Sequence, residues 1–196
     1  MSKENNSSPF LRKFWKFFIA FIIAIPVFFT LVSFGILGHM PDIQELENPK
    51  SALASDLISE DGVLLGQYYI QKRSNVPYSE INVSVYDALI STEDRRFYDH
   101  SGIDLRGLLR AVAGMGKDGG ASTITQQLAR NLFHEERPKH KITRVIQKFK
   151  EWVIAIQLER RYTKDEIIAM YLNTVQFSGS SYGIKSASNQ FFAKKP

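Results

Sequence analysis

Residues Glu93 to Gly102 read EDRRFYDHSG, and residues Gly119 to Asn131 read GGASTITQQLARN. The first segment sets two acids beside an aromatic pair, a histidine and a glycine. The second opens on two glycines and runs into a helix start rich in hydroxyls and amides. Glycine lets a backbone come close to a ligand, and a helix amino terminus turns unpaired N–H groups towards an anion. Together the two segments suit a site that handles a sugar and a phosphate.

Around them the pattern is helical from Pro77 to about residue 176. Ser84 to Thr92 is expected to be a helix, with Ser84 as its cap, Asp87 at the third position, and Val85, Ala88, Leu89 and Thr92 on one face. A second helix is expected to begin near Thr123, where Thr123 and Gln126 form a candidate capping box, and a third near Ile142. On the third, Ile142, Val145, Ile146, Phe149, Trp152, Val153 and Ile156 fall on one broad apolar stripe. Arg144, Lys148 and Glu151 lie almost opposite, which reads as a solvated face with a Lys148–Glu151 pair. A fourth helix is expected from Thr163, with Glu166 as its capping-box partner, to Tyr171.

Upstream, Glu60-Asp61-Gly62 lies between two short apolar runs and marks a β-hairpin over Leu57 to Tyr69. Residues 38–54, with Pro41 and Pro49 and no sustained period, read as a stalk. Phe17 to Leu37 carries no charge and is long enough to cross about 30 Å of hydrocarbon as a helix. Pro26 sits mid-span, where membrane helices tolerate it. Arg12, Lys13 and Lys16 precede the span, and Asp42, Glu45 and Glu47 follow it. This bias predicts a cytoplasmic tail over residues 1–16, a membrane anchor over 17–37 and an outer domain over 55–196. A cleaved signal peptide fits less well, because its apolar core runs to about 7–15 residues.

The chain has 196 residues, a formal charge of +5 and a pI near 9.3. That balance favours anionic partners. The span argues against nucleic acid among them, since the domain would face the wrong compartment, and a helix-turn-helix reading of TITQQLARNLF rests on a weak pattern. Absence of cysteine rules out disulfides and thiolate chemistry.

Glu93 is the candidate general base. The negative end of its helix, apolar cover from Phe97 and Tyr98, and the neighbouring carboxylate Asp94 should all strengthen its hold on a proton. An isolated Glu-Asp pair would more often be a surface acid beside Arg95 or Arg96. His100 reads as support for the loop carrying Glu93.

These segments resemble the signature motifs of the bacterial peptidoglycan glycosyltransferases, the transglycosylase domains of class A penicillin-binding proteins and their single-domain relatives. The first motif, Glu-Asp-x-x-Phe-x-x-His-x-Gly, is met by Glu93, Asp94, Phe97, His100 and Gly102. The second, Gly-x-Ser-Thr-x-Thr-Gln-Gln, is met in full by Gly120 to Gln127, which include Ser122, Thr123 and Gln126. Lys148 and Glu151 fill the last two places of the third, Arg-Lys-x-x-Glu, but Gln147 stands where arginine is usual. Arg144, one turn away, is a candidate to compensate, and Arg130 stands where the family usually has lysine. Tyr171-Leu172-Asn173, with Gly179, Tyr182 and Gly183, resembles the fourth, although Ser178 replaces its first glycine. The family pattern continues into a fifth motif with His and Pro, so the resemblance covers residues 55–196 and implies that the carboxyl-terminal part of the domain is missing.

The resemblance implies a mainly α, lysozyme-like glycosyltransferase lobe preceded by one transmembrane helix and a short β-hairpin. It implies an inverting polymerisation of lipid II into glycan strands at the outer face of the bacterial inner membrane, with release of undecaprenyl diphosphate. Glu93 would take the proton of the acceptor 4-hydroxyl. Lys148, Arg130 and the amides around Ser122 would face the diphosphate. Glu151 would position the donor or hold a divalent cation (Mg or Mn), a metal the residues alone do not specify. The remaining matched positions, Asp94, Phe97, His100, Gly120, Thr123, Gln126, Gln127, Arg144 and Asn173, would contact substrate. Implied partners are lipid II, the growing glycan chain, the membrane and other cell-wall synthesis proteins. Two rival functions remain on the residues alone: a glycan-cleaving enzyme of the same lineage, and a non-catalytic lipid II-binding membrane fragment.

Overall fold

The computed structural model describes residues 9–36, 40–41, 55–68, 76–114, 120–133, 140–178 and 181–196. The chain divides into two compact units, Met1–Met40 and Pro41–Pro196. The first is built on one helix, α1 (Pro9–Ser33), whose large apolar side chains are mostly exposed. It is long and apolar enough to cross a membrane. It begins ahead of the expected span, so Arg12, Lys13 and Lys16 lie on its first turns. Pro26 cannot supply an N–H to the helix ladder, and the hydroxyl of Thr30 donates to the Pro26 carbonyl at 2.7 Å. Leu37 and most of the expected stalk fall outside the described residues.

The second unit begins with the expected hairpin, β1 (Ser55–Ile58) paired antiparallel with β2 (Leu64–Tyr68). A 3-10 turn (Tyr78–Glu80) leads to α2 (Val83–Glu93). The cap of α2 is Asn82 rather than Ser84: the Asn82 side chain accepts from the Ser84 amide at 3.0 Å. An asparagine one residue before the helix competes well for this place, because its carbonyl reaches the second helical amide. After the loop of the first motif come α3 (Leu105–Ala113) and α4 (Ile124–Phe133). Then follow α5 (Lys141–Arg161) and α6 (Lys164–Thr174), a small antiparallel pair β3 (Gln176–Ser178) and β4 (Ser181–Tyr182), and α7 (Ile184–Phe192). Helix α6 has the complete Thr163–Glu166 capping box that its sequence announces.

Helix α4 packs against both α5 and α6 and forms the centre of the unit. Ile124, Leu128 and Ala129 meet a core completed by Val153, Ile154, Ala155 and Leu158 of α5 and by Ile167, Ile168 and Leu172 of α6. Each large side chain buried there contributes about 1.5–3 kcal/mol. The apolar stripe expected on α5 is corrected by the structure. Ile142 and Val145 are exposed, whereas the buried residues are Gln147, Glu151, Val153, Ile154, Ala155 and Leu158. In its amino-terminal half α5 turns polar groups inward, because Lys148 and Glu151 find partners there, so the expected solvated face is in part a buried one.

Two glycines are required by close approach. Gly102 has φ +89°, and a Cβ on it would lie 3.0 Å from the carbonyl carbon and oxygen of Ala155 in the body of α5. Gly183 has φ +79°, and its Cβ would lie 2.8 Å from the Asn173 carbonyl oxygen. The first lets the loop of the first motif lie on α5, and the second lets the β3–β4 turn close on the end of α6.

Candidate active site

Glu93 is the last residue of α2 and Asp94 is its C-cap, and at this helix end the two neighbouring carboxylates part company. Asp94 turns inward and is 7% exposed. Its Oδ1 and Oδ2 lie 3.2 and 3.1 Å from His100 Nε2, and Oδ2 also accepts from the Ile124 amide at 3.1 Å. The Gly102 amide donates to His100 Nδ1 at 3.2 Å. With Nδ1 thus accepting, Nε2 is the nitrogen that carries the proton towards Asp94. The unpaired amide at the start of α4 is therefore already satisfied by a carboxylate of the protein itself. Of the amides around Ser122 expected to face a diphosphate, that of Ile124 is thus taken by Asp94.

The second motif grips the first from the other side. Thr123 Oγ1 and Gln126 Nε2 both donate to the Gly102 carbonyl, at 2.8 and 2.9 Å. Thr123 also accepts from the Gln126 amide at 3.2 Å. The expected Thr123–Gln126 capping box is thus only half present, because the Gln126 side chain serves Gly102 instead. Phe97 is fully buried. Lys164 lies 4.3 Å above its ring, donates to the His100 carbonyl at 2.7 Å and pairs with Glu159 at 2.7 Å. Glu159 also accepts from Thr125 Oγ1 at 2.6 Å. Four elements are tied by this network, and neither Lys164 nor Glu159 stood out in the sequence because no motif reading reaches them.

Glu93 goes the other way and is exposed. The apolar cover expected from Phe97 and Tyr98 is therefore not present. Its partner is neither Arg95, which donates to the Ser91 carbonyl, nor Arg96, which pairs with Asp104. Instead Gln127 Nε2 donates to Glu93 Oε2 at 2.8 Å. The Arg96 guanidinium holds the Asp104 carboxyl below the usual carboxylate range. Glu93 opens on a cleft of about 530 Å³, lined by Ser91 to Arg96, Asp104, Gly107, Arg110 and Gly120 to Thr123. Gly120 leaves open space beside it, since a Cβ there would meet nothing within 4 Å. Arg110 of α3 lines the same cleft and was not singled out by the sequence; its signal was an arginine one helical turn beyond Arg106.

Across the second motif, Lys148 Nζ donates to Ser122 Oγ at 2.8 Å and to Glu151 Oε2 at 2.9 Å. The ammonium is held between a buried carboxylate and a hydroxyl of the cleft wall. Such a cation is fixed in place and still 35% exposed. Arg130 and Arg144 are exposed, and Arg130 is close enough to Tyr171 for its charge to act on that phenol. Asn173 stands apart from the cleft contacts. Its side chain clasps the backbone of Val76, accepting from the amide at 3.0 Å and donating to the carbonyl at 2.8 Å. Among the described residues no group of three or more His, Asp or Glu could hold a metal ion.

The arrangement thus offers a positioned carboxylate on one wall, a positioned cation near another, and an open floor at a glycine. A family model described as Transglycosylase matches residues 61–196. Penicillin-binding protein 1F of Bacillus subtilis (strain 168) is 38% identical over 193 residues, covering 92% of this chain and 25% of that protein. Penicillin-binding protein 1A of Escherichia coli (strain K12) is 35% identical over 190 residues, covering 93% of this chain and 22% of that protein. Penicillin-binding protein 4 of Bacillus subtilis (strain 168) is 35% identical over 196 residues, covering 90% and 30% respectively. The chain therefore spans less than a third of the length of these relatives. The matched region contains the whole cleft, from Ser91 to Thr123, together with Lys148 and Glu151, and the chain belongs to the transglycosylase family, sharing this domain with class A penicillin-binding proteins.

Proposed function

We propose that the chain is a peptidoglycan glycosyltransferase that polymerises lipid II into glycan strands at the outer face of the bacterial inner membrane. The observation that carries this reading is a cleft lined by both Glu93 and Ser122, in which Gln127 holds Glu93 while Ser122 and Glu151 hold the Lys148 ammonium. Glu93 takes the proton of the acceptor 4-hydroxyl as that oxygen attacks the anomeric carbon of the lipid-linked donor. The bond from that carbon to the diphosphate oxygen breaks with inversion, and undecaprenyl diphosphate leaves with the electron pair. Negative charge grows on the leaving oxygens, and Lys148, held by Ser122 and Glu151, supplies positive charge fixed in advance, with the exposed Arg130 of α4 as a second cation. Glu151 serves this step by holding Lys148. Helix α1 is the anchor, with Arg12, Lys13 and Lys16 on the cytoplasmic side.

The test is Glu93→Gln assayed with lipid II on membranes carrying the chain. The amide keeps the shape and cannot accept the proton, so polymerisation should fall by at least the roughly 10²–10⁴-fold that a general base contributes. Activity within a few-fold of the parent removes Glu93 from the role of base. Release of sugar from finished wall, without polymer from lipid II, would replace synthesis by cleavage.

A further inference from the structure

Tyr171 lies on α6 and is 6% exposed, yet its hydroxyl reaches the side chain that holds Glu93. It donates to Gln127 Oε1 at 3.1 Å, and Gln127 Nε2 in turn donates to Glu93 Oε2 at 2.8 Å. A primary amide has one accepting and one donating end, and a carboxylate can only accept. The phenol holds the accepting end, which leaves the donating end for Glu93. Burial, and then the nearby charge of Glu93, push the phenol up from its ordinary value, and Arg130 pulls the other way. At neutral pH the hydroxyl therefore keeps its proton and remains a donor.

The requirement for such a device follows from the place of Glu93. It is an exposed side chain at a helix end, free to adopt several rotamers unless something holds it. A base must be aligned with the proton it takes, and misalignment by about 1 Å can cost on the order of 10²-fold in rate. We propose that Tyr171 is a positioning residue for the reaction, acting through Gln127 to fix Glu93 Oε2 so that Oε1 faces the acceptor hydroxyl. This rests on the reading of Glu93 as the general base. The Tyr171 hydroxyl touches no reacting atom.

The test uses Tyr171→Phe, Gln127→Met and the double variant of the full chain, with lipid II varied to separate kcat from KM and the thermal midpoint measured alongside. Loss of the one hydroxyl should lower kcat about tenfold, the size of one hydrogen bond, with KM unchanged. The double variant should lose no more than Gln127→Met alone, because the two groups act in series. A kcat for Tyr171→Phe within twofold of the parent overturns the proposal. So do losses that simply multiply in the double variant. A second measurement does not depend on turnover: the side-chain amide signals of Gln127 in chain labelled with 15N-glutamine. They should shift in both Tyr171→Phe and Glu93→Ala, and signals unmoved by either substitution overturn the relay. If the parent makes no polymer while those signals respond to both, the relay stands and the glycosyltransferase reading fails.

Discussion

Gly102→Ala should damage stability and catalysis together, and the size of each effect follows from one contact. The new methyl would sit 3.0 Å from the Ala155 carbonyl carbon and oxygen and 3.2 Å from the Ile156 amide. Those atoms belong to the backbone of α5, and Ala155 is fully buried, so they have little room to give. At φ +89° an L side chain adds backbone strain of about 1–3 kcal/mol. Overpacking against fixed neighbours adds about 1–3 kcal/mol more. A total near 4 kcal/mol lowers the thermal midpoint of a domain of this size by about 8–16 °C. The relief open to the loop is to lift off α5, and this pulls the Gly102 carbonyl away from Thr123 and Gln126, which donate to it at 2.8 and 2.9 Å. The joint between the first and second motifs then loosens, and kcat for lipid II polymerisation, measured well below the midpoint, should fall on the order of 10²-fold. Gly120→Ala is the control for stability, because its Cβ would meet nothing within 4 Å, so its midpoint should match the parent. Gly102→Ala with a midpoint within about 2 °C of the parent and near-normal kcat would refute the reasoning, since the expected shift is several times larger.

Gln147→Arg should lower the thermal midpoint, because Gln147 is buried on α5 and a guanidinium there is both larger and charged; a midpoint equal to the parent's together with raised polymerisation would show instead that the new cation reaches the diphosphate. Asp104→Asn should lower the thermal midpoint at neutral pH, where the carboxylate is paired with Arg96. The hydrogen bond from Arg96 depresses its folded pKa below the ordinary aspartate value of 3.8, so its contribution is present above that value and is lost as pH falls through the folded one. The midpoints of parent and variant should therefore converge in a pH series taken below 3.8, and a gap that persists or widens there would assign the loss to packing instead.

Local features were legible in the sequence because their causes are local. The Thr163–Glu166 box and the hairpin around Glu60-Asp61-Gly62 depend on residues within a few places of one another, and both appear as expected. The inward face of α5 was not legible. Periodicity weighs apolar residues by their spacing, and Ile142, Val145 and Phe149 make a convincing stripe. The helix instead buries Gln147 and Glu151, because Lys148 meets Ser122, just ahead of α4 and a partner 26 residues away in the chain. The pairing of Glu93 with Gln127 across 34 residues is equally invisible to spacing. A site breaks the pattern that a core alone would follow, so pattern reading fails there first.

The same geometry separates two tasks that the motifs run together. Asp94, His100, Thr123 and Gln126 are all motif residues expected to meet substrate, yet each commits polar atoms to the joint between the first two motifs, Gln126 through its Nε2. A carboxylate bonded to a histidine and to a helix amide has little left to offer a sugar. Glu93, Gln127, Ser122 and Lys148 lie on the other side of that joint, with groups that are exposed or partly so. Adjacent positions thus take opposite duties: Asp94 braces the joint while Glu93 is exposed, and Gln126 braces it while Gln127 holds Glu93. On a helix, neighbouring residues point about 100° apart, so a pair at the end of α2 and another in the first turn of α4 can each serve one inner and one outer direction. A motif of consecutive polar residues is what such a division requires, because the side chain exposed to the cleft and the one that fixes its backbone must be anchored within a single turn.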